Sequence, residues 1–140
     1  MTPLERITER VSRHGDVNFH ETIRPVLTLA EFFEGNSALG TIGCNLDSQP
    51  TASQFYECLK RIAARSTVAD VRVIVTLFDD PSWPFSDTVW VITTSSEEEV
   101  KEWFGKEFQP TECWDGWYDD SPTEPFVVVS GMKRVTCQWD

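Results

Sequence analysis

Two runs of apolar, largely β-branched residues constrain this chain more than any other feature. Val71-Arg72-Val73-Ile74-Val75-Thr76-Leu77-Phe78 is apolar at almost every position, and Thr88-Val89-Trp90-Val91-Ile92-Thr93-Thr94 is of the same kind. Successive side chains of a strand point to opposite faces. A run that is apolar at both parities therefore reads as a central strand rather than as one with a wet face. Neither run approaches the length of a bilayer span.

Helix signals surround these strands. Thr2-Pro3-Leu4-Glu5 combines an N-cap, a first-turn proline and a capping-box glutamate, with Leu4, Ile7 and Val11 at helical spacing and Gly15 as a stop. Thr28 and Glu31 frame a short second helix that ends at Gly35. Thr51 and Gln54 open a third, with Phe55, Leu59 and Ile62 on one face and Glu57 and Arg61 paired on another. Ser95 and Ser96 can cap a fourth, running through Phe104 to Gly105, with Val100, Trp103 and Phe104 on its buried face.

The Gly-rich stretch from Gly35 to Asn45 is expected to hold a short strand near Thr41 to Leu46. Gln109 to Pro125 carries three prolines and no periodicity, and reads as a long loop. Phe126 to Val129 and Val135 to Trp139 flank a turn and read as a terminal hairpin, with Arg134, Thr136 and Gln138 on a wet face. The expected fold class is α+β: a mostly antiparallel sheet with helices packed on one face. Its element order is a split β-α-β-β-α-β pattern with a C-terminal hairpin and an N-terminal helical lead. One domain is expected over residues 1–140, with the lead in 1–35 and an α/β sandwich core in 41–140.

Charge bounds the partners. The chain has 23 Asp and Glu against 12 Lys and Arg, a net charge of −11. Such a chain is repelled by nucleic acid and by anionic membranes, so neither is an expected partner. The N-terminus has no apolar core of secretory length, and the four cysteines (Cys44, Cys58, Cys113, Cys137) form no C-x-x-C pair. They read as free thiols in the cytoplasm. No cofactor and no metal are expected. Gly35 to Gly40 has G-x-x-x-x-G spacing, but Thr41-Ile42 stands where a phosphate loop needs Lys and Ser or Thr. His14 and His20 are too far from the cysteines in sequence to make a zinc spacing, and Cys44 with either histidine is a poor candidate for a nucleophile pair. No catalytic residue is assigned.

One feature stands apart. Between Asp79 and Glu124 there are 13 acidic and 2 basic residues, a net of −11, so the remainder is electrically balanced. The same stretch holds 9 of the 17 aromatic residues and 5 of the 6 tryptophans. Trp90 and Trp103 belong to a strand and a helix and are expected to face the core. Trp83, Phe85, Trp114, Trp117 and Tyr118 fall in expected loops, where aromatic side chains serve as interface anchors. Asp79, Asp80, Asp87, Asp115, Asp119 and Asp120 accompany them and would steer a basic partner.

Leu27-Thr28-Leu29-Ala30-Glu31-Phe32-Phe33-Glu34-Gly35-Asn36, Gly40-Thr41-Ile42-Gly43-Cys44-Asn45-Leu46 and Trp83-Pro84-Phe85-Ser86-Asp87-Thr88-Val89 resemble stretches of a family of small, acidic, uncharacterised bacterial proteins. The resemblance implies a bacterial single-domain protein and carries no activity and no site residues. The expected function is a non-catalytic acidic binding protein with a basic protein partner, in concrete form an immunity-type inhibitor of a basic toxin such as a nuclease. The alternatives are a small-ligand or divalent-metal-binding domain, and a regulatory module that forms a homodimer through its C-terminal edge strand.

Overall fold

A computed structural model describes residues 1–140. The helices are α1 (Pro3–Ser12), α2 (Leu29–Phe33), α3 (Ala52–Ala63), α4 (Glu97–Trp103) and α5 (Gly105–Phe108); the strands are β1 (Val26–Thr28), β2 (Val68–Ile74), β3 (Thr88–Thr93), β4 (Glu112–Asp115) and β5 (Lys133–Gln138). The protein is α+β. Its five strands form one sheet in the order β1-β2-β3-β5-β4, with every neighbouring pair antiparallel.

Capping boxes set where the four longer helical segments begin. Thr2 with Glu5, Thr28 with Glu31, Thr51 with Gln54 and Ser96 with Glu99 each exchange reciprocal side-chain-to-backbone bonds. The surface pair on α3 differs from expectation: Glu57 takes Lys60, at 2.6 Å, rather than Arg61.

The sheet has two covers of different kinds. Val71, Val73, Val75, Val89, Val91, Val135 and Cys137 point to the helix side, where they pack with Ile7, Phe32, Phe55, Leu59, Val100 and Phe104. Val26, Ile74, Trp90 and Ile92 point to the other side. No helix lies there. Trp117, Phe126, Val128 and Met132 cover that face instead, as an irregular strap across the strands. This is why β3 is buried at every position.

Four expectations are corrected. Thr41 to Leu46 is a series of turns, not a strand. Gly40 (φ 74°) and Gly43 (φ 62°) are left-handed, which no strand accommodates. Gly43 is also pressed so close to Phe55 that a Cβ would lie 2.5 Å from its ring. The first strand comes earlier, at β1, so the expected helical lead contributes to the sheet. Second, Gln109 to Pro125 is not all loop, because it contains β4. Third, Phe126 to Val129 is not a hairpin arm: β5 pairs with β3 and β4, and residues 126–129 belong to the strap. Fourth, β5 is an interior strand, so a dimer through a C-terminal edge has no edge to use. Its expected wet face is covered too, with Thr136 fully buried and Arg134 lying over the Trp90 ring at 4.6 Å.

Candidate partner-binding site

The acidic, aromatic stretch divides between the two faces. Trp83 is 3% exposed and packs in the helix-side core, and its indole N–H donates to Phe32 O at 2.8 Å. It is not a surface anchor. The indole had a backbone carbonyl within reach, and burying a hydrogen-bonded tryptophan costs no unpaired donor. Phe85 is half-buried and bridges Leu77 through backbone bonds, so the Pro81 to Ser86 segment folds back as a turn between β2 and β3. Asp79 and Asp80 are exposed just before that turn. Asp80 accepts from Ser82 N–H, and that bond holds its carboxyl below the usual range. None of these four lines the cleft described next.

Trp114, Trp117 and Tyr118 come together on the helix-free face. The Trp114 and Trp117 rings are parallel with centroids 6.4 Å apart; Tyr118 lies 4.9 Å from Trp114 and 5.2 Å from Trp117. Trp117 continues inward to Trp90 at 5.4 Å, edge to face. The cluster therefore begins in the core and ends at Tyr118, which is 47% exposed. Gln138 on β5 fixes its polar ends: one side-chain oxygen accepts from Trp114 Nε1 and from Tyr118 OH, both at 3.1 Å. Trp117 Nε1 donates to Ser121 O at 2.7 Å. Asp115, Asp119 and Asp120 are exposed; Asp119 and Asp120 follow Tyr118 in the chain, whereas Asp115 stands opposite Val135, which points to the helix side.

Asp87, Trp117 and Tyr118 border an open cleft of about 340 Å³, together with Arg24, Leu77 and Gln138. Arg24 is nearly buried, and its guanidinium donates to Thr76 O at 2.9 Å and Val17 O at 3.3 Å. Burial lowers its pKa, which the Asp87 charge partly offsets. Asp87 accepts from Thr88 Oγ1 at 2.8 Å. Arg24, Leu77 and Gln138 are additions that sequence reasoning missed. Gln138 had carried a signal only as one of the alternating polar residues Arg134, Thr136 and Gln138 of the last strand; Arg24 had none.

The structure thus brings Asp87, Trp114, Trp117 and Tyr118 into one region, with the exposed Asp119 and Asp120 following Tyr118 in the chain; Asp115 stands opposite the helix-side Val135, and Asp79, Asp80, Trp83 and Phe85 are left out. No group of three or more His, Cys, Asp or Glu side chains converges as a metal ion would require. No helix is long and apolar enough to cross a membrane.

These features define a small α+β protein with a five-stranded antiparallel sheet, covered by helices on one face and by an aromatic strap on the other. The chain belongs to the family described as the Uncharacterized protein YfbO family, whose model matches residues 2–137. It is 48% identical to the Escherichia coli (strain K12) protein described as Uncharacterized protein YfbO, over 140 residues and the full length of both chains. A bacterial family of this kind is what the sequence resemblance implied. No solved structure matches it significantly.

Proposed function

We propose that the protein is a non-catalytic binding protein that recognises a basic protein partner through Trp114, Trp117 and Tyr118. The observation that carries this reading is the stacked cluster itself, held by Gln138 and Trp90 and ending in a half-exposed tyrosine that the exposed Asp119 and Asp120 follow in the chain. Rigid aromatic side chains at a surface lose little entropy on binding, and surrounding carboxylates speed the encounter with a cationic surface. In its most concrete form the partner is a basic toxin such as a nuclease, and the protein occupies its cationic cleft as an immunity-type inhibitor. A cytoplasmic location belongs to the same reading and is supported by four unpaired thiols.

The test is retention of a partner from the native host by immobilised wild type, Tyr118→Ala and Asp119→Lys/Asp120→Lys. The expected result is one basic protein held by wild type and lost from Tyr118→Ala. For the charge-reversed variant, association should slow roughly tenfold or more at low salt, with the difference shrinking as salt rises. If no basic protein is retained, or all three retain it equally, the reading fails.

A further inference from the structure

Cys113 and Cys137 face each other across the β4–β5 ladder, with their sulfurs 3.4 Å apart. Their place in the ladder matters. Gly116 N–H donates to Arg134 O at 2.8 Å, which marks residues 116 and 134 as a hydrogen-bonded pair. Bonded and non-bonded pairs alternate along an antiparallel ladder, so Cys113 and Cys137, three places away, form a non-bonded pair. Side chains are closest at such pairs. The Cα spacing at a non-bonded pair, about 4.5 Å, lies within the range that a disulfide spans.

The two thiols differ in access. Cys113 is half-buried on the outermost strand, whereas Cys137 is fully buried in the helix-side core. Burial, together with the hydrogen bond to Cys113, pushes the Cys137 thiol well above its ordinary pKa. The remaining cysteines stand apart from this pair: Cys44 is exposed in the turns before α3, and Cys58 is buried in α3, where burial pushes its thiol up to about 11.

We propose that Cys113 and Cys137 are a redox-active pair that closes to a cross-strand disulfide by exchange with a small-molecule disulfide of the glutathione class. The Cys113 thiolate attacks one sulfur of the reagent, its S–S bond breaks, one thiol departs and a mixed disulfide forms on Cys113. Cys137 then attacks the Cys113 sulfur, the second thiolate departs, and the Cys137 proton ends on that departing thiol. The pair loses two electrons and two protons, and the reagent becomes two thiols. The sulfurs move from 3.4 Å to about 2 Å with no change of register. The bond ties edge strand β4, which carries Trp114, to interior strand β5, which carries Gln138. This inference does not depend on the partner reading above.

The experiment treats the reduced full-length protein with oxidised glutathione under native conditions, quenches exchange with acid, unfolds the protein so that every remaining thiol is blocked by an alkylating agent, and maps peptides. The expected result is two alkylated cysteines, Cys44 and Cys58, and a peptide joining Cys113 to Cys137 within one chain. Cys137→Ser should stop at a glutathione adduct on Cys113, and Cys44→Ser should oxidise like wild type. Four alkylated cysteines in wild type would overturn the proposal, as would a cross-link through Cys44 or between chains. The wild-type map decides the matter even if Cys137→Ser fails to fold.

Discussion

At the scale of single residues, Glu124 shows how a charge can serve the fold rather than a partner. It sits at the end of the most acidic stretch, yet its carboxylate takes two oxygens' worth of bonds from Arg10 (2.8–3.1 Å), one from the Val26 N–H at 3.0 Å and one from His14 at 3.2 Å. Arg10 in turn donates to Val26 O at 3.3 Å. The outer edge of β1 is therefore closed by an ion pair instead of being left open to another strand. Burial alone would raise the Glu124 pKa, but the Arg10 and Val26 hydrogen bonds and the Arg10 charge outweigh it and hold the carboxyl below its ordinary value of 4.5. A carboxyl lowered in the folded state stabilises it above the unfolded value, and this contribution is lost as pH falls through the folded value. Glu124→Gln should cost about 1–2 kcal/mol in urea unfolding at pH 7. The gap between variant and wild type should narrow as pH falls below 4.5 and close once pH has passed the lower folded value, where both carry a neutral side chain. A gap that is constant down to pH 3 would show that Glu124 acts by packing alone.

The elements divide into those that local sequence dictates and those it does not. A capping box is a four-residue signal, and all four in this chain operate as such. The two apolar runs became the adjacent strands β2 and β3, because a segment apolar on both faces is stable only inside a sheet. β1 and β4 were not legible. They span 3 and 4 residues, and their partners lie 48 and 24 positions away, at Ile74 for Val26 and at Cys137 for Cys113. The strap was misread because Phe126, Val127, Val128 and Val129 have strand composition without a strand partner. Its contribution lies in Phe126, centred 5.6 Å from Trp90 and under the Arg72 guanidinium at 5.3 Å. Phe126→Ala should therefore destabilise the protein by about 2 kcal/mol, less than a fully buried phenylalanine would. The near-ultraviolet circular dichroism of the Trp90–Trp117 pair should weaken as well. An unchanged urea midpoint would mean that the strap adds nothing to the fold.

For the whole molecule, the charge is less concentrated in space than along the chain. Glu97, Glu98 and Glu99 occupy the first turn of α4, where carboxylates complement the helix dipole. Glu97 also meets Lys133 at 3.4 Å, and Glu124 is neutralised by Arg10. Asp115, Asp119 and Asp120 take part in no salt bridge and are exposed. If they are kept for a partner, the fold does not need them. Asp119→Lys/Asp120→Lys should leave the unfolding free energy within about 0.5 kcal/mol of wild type, or raise it by relieving repulsion in a chain of net charge −11. A loss above about 2 kcal/mol would assign these residues to stability.

The sequence by itself determined the fold class, the helix starts and the two central strands. Those depend on side-chain periodicity and on hydrogen bonds between residues a few positions apart. It also marked Trp114, Trp117 and Tyr118 as a group, since they are neighbours in the chain. Only the tertiary structure decided that Trp83 turns inward to Phe32, that β4 takes the edge and β5 the interior, and that a strap rather than a helix covers the second face. It also set Cys113 opposite Cys137 and Gln138 beneath Tyr118. Each of these depends on which distant backbone and side-chain groups meet once apolar surface is buried, and no local pattern encodes that meeting.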